Sequence, residues 1–331
     1  MLKVLLALLP GIALYVWYFG PAILVSIALA SVTALATEAA MLKLRKRPIA
    51  PFLKDNSALL TGWLLALSIP PLAPWWLVVV GTAFAIAIAK QLYGGLGNNL
   101  FNPAMVGYAV LIISFPAQMT HWVAPHGLGD GGLVPAELSF AQQLQYIFSG
   151  VLPQGLTLDA VTMATPLDTL KTHLHLKESV QQILNMPIYG QIGGHGSEMV
   201  AWGFLFGGQY LLASRIISWH IPVAYLVTLF AIAGIFHLAD PAHYVAPLFH
   251  WYSGAAMLGA FFILTDPVSS PTTNKGRLIY AAGAALLTYL IRTFGGFPDG
   301  VAFATLLMNI SVPLIDAYTQ PKVFGKKGDA K

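Results

Sequence analysis

Long apolar runs dominate the chain, and polar positions serve mainly as short punctuation between them. A run of about 20 apolar residues, or somewhat fewer, is enough to cross a bilayer core. By that measure ten segments qualify: 4–19, 21–42, 57–72, 74–92, 99–116, 199–215, 219–237, 247–265, 278–293 and 298–318. The first is read as a retained helix rather than a cleaved leader, because it has a single early Lys3, a Pro10 and no small-x-small cleavage pattern. Between the fifth and sixth segments lies the one long polar stretch. The pattern predicts an all-α polytopic membrane protein: a first transmembrane half over 1–116, a loop over 117–198, a second transmembrane half over 199–320 and a polar tail over 321–331.

Orientation follows from the cations, since Lys and Arg gather on the cytoplasmic side. With the N-terminus inside, that side holds Lys3, the cluster Lys43 to Lys54, Lys90, Arg215, Lys275, Arg277, Lys322, Lys326, Lys327 and Lys331. The other side holds only Lys171, Lys177 and Arg292. Both termini are therefore expected in the cytoplasm, and the loop 117–198 in the periplasm of a bacterial inner membrane.

The two halves resemble each other. Ser57-Ala-Leu-Leu-Thr-Gly62 aligns with Gly254-Ala-Ala-Met-Leu-Gly259, Ser68-Ile-Pro70 with Thr265-Asp-Pro267, and Tyr93-Gly-Gly-Leu96 with Phe294-Gly-Gly-Phe297. Five spans per half is an odd number, so the second half is expected to be inverted relative to the first. Breaks are expected at Gly94–Pro103 and Phe294–Gly300, where Gly, Asn and Pro cannot continue an apolar helix cheaply. The Asn-rich break next to a helix start suits a polar ligand, which makes Asn98, Asn99 and Asn102 candidate liners of a flavin or quinone site.

Composition sharpens the class. Only 9% of the 331 residues are charged and 57% are hydrophobic, against about 25% charged in soluble domains. Cysteine is absent, so thiolate-bound iron–sulfur clusters and thiol nucleophiles are excluded. The nine histidines come without cysteines or paired acids and read as interfacial, so no metal site is expected. No basic stripe points to nucleic acid, and lipid is the expected surroundings. Ionisable groups inside spans are costly and mark function by default. Glu38 is expected to snorkel to the cytoplasmic surface near Lys43 or to serve an ion pathway. Asp266, at a helix end before Pro267, is an ion- or proton-site candidate or a cap. Asp316 is expected to pair with Lys322.

Within the loop, Asp159-Ala-Val-Thr162-Met-Ala-Thr165-Pro166 places two threonines three apart behind an acid. Pro166 biases Thr165 to an extended backbone that presents its side chain. This stretch resembles the flavin-attachment motif Asp-x-x-Ser/Thr-x-Ala-Ser/Thr shared by two related families. They are the D subunit of the Rnf (Rsx) electron-transport complex and the B subunit of the sodium-translocating NADH:quinone reductase. Asn98-Asn-Leu-Phe-Asn-Pro-Ala104 is similar to a flavin-lining segment of both, and the ten-span layout matches, so the likeness covers nearly the whole chain. Met163 departs from the small residue expected there. The short stretch before the first span favours the Rnf-type protein.

The resemblance implies FMN joined to Thr165 through a phosphoester, with Asp159 and Thr162 as companions. It also implies a flavin transferase that makes the bond, a second flavin (riboflavin) in the membrane part, and other subunits of the complex as partners. The activity implied is a redox-driven translocase of the ferredoxin:NAD oxidoreductase type, coupled to Na+ or H+ movement, with no complete active site on this chain alone. Read from inverted repeats and broken helices alone, a small-solute channel or transporter stays open as the alternative, as does a structural scaffold.

Overall fold

A computed structural model describes residues 1–128, 137–297 and 299–321; the lysines expected in the tail, Lys322 among them, lie outside these residues. The chain is mostly helical, with almost no strand. The first half comprises α1 (Leu2–Phe19), α2 (Ala22–Leu44), the short α3 (Ile49–Leu53), α4 (Ser57–Ala66), α5 (Trp75–Phe84) and α6 (Pro103–Ser114). α5 continues as a π-helix over Ala85–Gln91. The loop holds α7 (Pro116–Thr120), β1 (Trp122–Val123), α8 (Phe140–Ser149), β2 (Thr162–Met163), α9 (Pro166–His175) and α10 (Val180–Leu184). The second half comprises α11 (Ser197–Ala213), α12 (His220–Ala239), α13 (Pro247–Tyr252), α14 (Ala256–Leu258), α15 (Asn274–Phe294) and α16 (Val301–Thr319).

Every apolar segment of the sequence contains helix. α1, α2, α12 and α16 are each long and apolar enough to cross a membrane. They also carry apolar side chains outward: Trp17, Val32, Ile235 and Leu314 are all exposed. A helix that is apolar on every face suits lipid on the outside and packing on the inside. The chain is thus a multi-pass membrane protein.

Two segments depart from the expected continuous spans. The segment 57–72 is helical only to Ala66, because Pro70 and Pro71 lack the amide a longer helix needs. The segment 247–265 breaks in its middle. Ser253 is extended and Gly254 has φ +63°, a left-handed conformation that favours glycine. The chain then resumes as α14 and a π-helix over Gly259–Ile263. Two of the carbonyls at this break are paired by a distant arginine. Arg292 of α15 donates to His250 O at 2.8 Å and to Ser253 O at 3.1 Å.

The halves meet where α1 crosses α11. Gly203 lies against Gly11, and a Cβ on Gly207 would strike the carbonyl oxygen of Ala7. Small residues at a crossing let backbones approach closely, which is a main source of helix association in lipid. Gly207→Ala is therefore expected to cost about 1–3 kcal/mol by overpacking, read as a lower thermal midpoint in detergent. An unchanged midpoint would mean that the crossing relaxes freely.

A second junction joins α6 to α16. Asn102 caps α6, accepting from Ala104 N and Met105 N, and its amide donates to Ile263 O. Asn309 of α16 accepts from Asn102 N and donates to Ser269 O and Tyr280 Oη.

The loop is a folded cap rather than an open connection. β1 and β2 pair antiparallel, with Trp122 opposite Met163 and Val123 opposite Thr162. α9 and α10 close a small core of Leu167, Leu170, Val180 and Ile183 over Phe249 of α13.

Candidate functional site

Asp159, Thr162 and Thr165 take three different environments. Asp159 sits in a 3-10 turn over Leu158–Ala160, exposed. Thr162 donates to Leu158 O at 2.9 Å and pairs in the two-stranded sheet. Thr165 alone lines a cavity, which also meets Met163, Ala164 and Pro166. As the sequence implied, Thr165 is extended (φ −66°, ψ 157°) ahead of Pro166, and it caps α9. Its Oγ1 accepts the Asp168 amide at 3.2 Å. The oxygen is thus held as an acceptor at a helix N-terminus, and its hydrogen is the part not used by the cap. An ester at this oxygen would leave the capping bond in place, and a phosphate there would meet the positive end of the helix dipole. Asp168 in the first turn opposes that attraction in part.

The cavity lies between the loop and the junction of the two halves, has a volume of about 190 Å³ and is partly open to solvent. Its walls come from α1 (Tyr15, Phe19), α6 (Met105, Tyr108), α11 (Val200, Phe204) and the break after α13 (Gly254, Ala255). They are mainly apolar, with a few polar groups, among them Asp299 and His195. That is the make-up of a site for a planar, largely apolar ligand with polar edges.

Two tethers fix the loop over this cavity. Glu198, at the start of α11, accepts from Ile192 N and Gly193 N at 3.0 Å each, which folds the Gly190–Gly196 stretch back on itself. Lys171 of α9 donates to Gly295 O at 2.7 Å and Phe297 O at 2.8 Å, at the C-terminal end of α15. Burial lowers the Lys171 ammonium from its ordinary value, with Asp168 opposing. Because the folded value lies below the unfolded one, this contribution to stability rises as pH climbs from the lowered value through the ordinary lysine range. Lys171→Met keeps the stem but removes the donor from two carbonyls. The expected cost is about 1–3 kcal/mol, with faster proteolysis inside 166–175. Unchanged cleavage would show that α9 is held by its apolar core alone.

The other candidates are dispersed. Glu38 does not snorkel to a surface: it is 1% exposed and pairs with Lys90 at 2.6 Å. Lys90 also donates to Ser57 Oγ at 2.7 Å, and Gln91 Nε2 to Glu38 at 2.8 Å. The reason is the π-helical turn that swings Lys90 and Gln91 inward toward α2. Asp266 accepts from Val268 N and Ser269 Oγ, closing the turn after the second π-helix. Asp316 accepts from Thr272 N. Asn98 is exposed, Asn99 donates to Phe101 O, and Asn102 is engaged at the α6 junction, so the three amides do not converge on one face.

Sequence reasoning overlooked Asp299, Lys171, Tyr108 and Gly254. The Gly-rich break containing Asp299 was visible, but its proximity to Thr165 depends on contacts between the loop and the second half.

Fold and site together define a multi-pass membrane protein with broken helices and a capped, mainly apolar cavity. Residues 1–325 match the family model described as the NQR2, RnfD, RnfE family, and the chain belongs to that family. It is 56% identical over 335 residues to a protein of Escherichia fergusonii named as the D subunit of the ion-translocating oxidoreductase complex, covering 99% of this chain and 94% of that one. Proteins of the same name from Klebsiella pneumoniae and Escherichia coli are 56% and 57% identical, with the same coverage.

Proposed function

We propose that this chain is the D subunit of an Rnf-type ion-translocating oxidoreductase complex, relaying electrons through FMN held covalently at Thr165. Membership of the family supports the assignment to the complex, and its other subunits are the partners. The observation that carries the cofactor reading is the position of Thr165: on a mainly apolar cavity partly open to solvent, at a helix N-terminus, with its hydroxyl hydrogen spare. The residues present fit the group. Thr165 would hold the phosphate, and the walls from α1, α6 and α11 would enclose the ring. When bound, FMN supplies the electron transfer. The chain holds it in place, keeps water from the ring's apolar part and fixes its distance from neighbouring centres.

The finer layout belongs to the same reading. Ten segments cross the inner membrane, the termini are cytoplasmic and the loop periplasmic. The second half repeats the first upside down. In each half the second helix packs on the third and fourth elements, and the fourth on the fifth. Glu38 with Lys90, and Asp266, are the candidate groups for Na+ or H+ movement. A second flavin near Asn98, Asn99 and Asn102 has less support, because the Asn102 side chain is already engaged with α6 and Ile263.

The test is in-gel flavin fluorescence. The chain is expressed with an active flavin transferase, denatured and illuminated in the gel. A fluorescent band at its mass is expected. A dark band, with the transferase active on another acceptor, would overturn the covalent reading and favour a solute transporter.

A further inference from the structure

We infer that Asp299 is a positioning residue for the flavin, accepting a hydrogen bond from the ring's N–H edge and holding its reduction potential low. This rests on the reading of Thr165 as the attachment point. Asp299 lines the same cavity as Thr165, from the opposite half of the chain. Its Oδ1 accepts from Arg292 Nε at 3.0 Å and Val301 N at 3.2 Å, and its Oδ2 from Ala255 N at 2.6 Å. A carboxylate offers about four acceptor positions, so one is left on Oδ2. The Asp299 side chain is 21% exposed, whereas that of Arg292 is 1% exposed.

The two partners of this ion pair therefore face different ways. Arg292 is spent on Asp299 and on the His250 and Ser253 carbonyls, and it is not among the cavity's lining residues. The negative end of the pair faces the cavity and the positive end is buried behind it. The seat is tight: a Cβ on Gly254 would strike Asp299, Leu167 and Arg292.

An apolar cavity with one spare carboxylate acceptor selects a ligand that is largely apolar and carries an N–H donor at one edge. The isoalloxazine ring, with its imide N–H, has that chemistry. Reduction adds electrons to the ring, and a carboxylate facing it across a low-dielectric space disfavours the added negative charge. A purely structural Asp299, serving only Arg292 and the start of α16, would have no such effect on the ring.

The experiment uses the full chain loaded by its transferase. The covalent band is scored first in the gel, and the flavin midpoint potential is then measured by spectroelectrochemical titration at fixed pH. Asp299→Asn is expected to keep the band and to shift the oxidised/reduced equilibrium toward the reduced form at least tenfold, about 30 mV for a two-electron couple. A retained band with an unchanged potential would overturn the inference while leaving the attachment at Thr165 intact. A dark wild-type band would instead overturn the attachment reading and this inference with it. Should Asp299→Asn fail to accumulate, because Arg292 is left unpaired, the double variant Asp299→Asn/Arg292→Gln removes both charges. A smaller upward shift is expected there, because the positive charge behind the cavity is lost along with the nearer negative one, and no shift would overturn the inference.

Discussion

Thr165→Ala is expected to abolish the covalent flavin band completely while the chain still accumulates in the membrane. The two halves of that result have separate physical causes. Alanine has no oxygen, so no phosphoester can form at this position, and neither Thr162 nor Asp159 can substitute. Thr162 is bonded to Leu158 O within its own turn, and Asp159 lies away from the cavity on an exposed turn. The structural cost is small by comparison. Losing the cap on α9 costs about 0.5–2 kcal/mol, and Pro166 at the first helical position still favours the helix. The core of Leu167, Leu170, Val180 and Ile183 is untouched. Thr165→Ser keeps both the oxygen and the cap and should retain a band. If Thr165→Ala stays fluorescent, the flavin is attached elsewhere, and the proposed role of this cavity falls.

The second large effect is expected at the buried pair beneath α2. Lys90→Met leaves Glu38 with Gln91 as its remaining partner in a site that is 1% exposed. Removing one partner of a buried ion pair costs about 3–5 kcal/mol, because the other charge stays desolvated. A marked drop in thermal midpoint in detergent is therefore expected. The double variant Glu38→Gln/Lys90→Met should recover most of the loss, since no unpaired charge remains. A single-variant cost below about 1 kcal/mol would mean that Glu38 can turn to water after all, as exposed pairs do. If the pair also serves ion movement, the double variant should fold well yet lose coupling, which separates stability from function.

Much of the architecture was legible in the chain itself, because in a bilayer the local pattern and the environment impose the same rule. Backbone groups in lipid must be satisfied within a helix, so apolar runs of sufficient length specify helices without help from distant residues. The Gly94–Pro103 and Phe294–Gly300 breaks were likewise local, and so was the extended backbone of Thr165 before Pro166. The interruption within 247–265 was not. Ser253 and Gly254 look like ordinary small residues in an apolar run, and Arg292, about 40 positions away, is what pairs the His250 and Ser253 carbonyls that the break leaves free. Glu38 was misplaced for a related reason. Its distance from Lys43 along the helix suggested a path to the surface, but a π-helical turn in α5 brought Lys90 inward as a closer partner.

The apolar helices, the family motif at Thr165 and the absence of thiol-based chemistry were thus written in the chain alone. Each depends on residue type or on neighbours a few positions apart. Packing in three dimensions was needed to show that Thr165 opens onto a cavity, that Asp299 from the far half faces the same space and that Lys171 fastens the loop above it. Those facts depend on contacts between segments more than 100 residues apart, as the Lys171 to Gly295 hydrogen bond illustrates. Such contacts follow from how helices pack around glycine crossings, which no local pattern records.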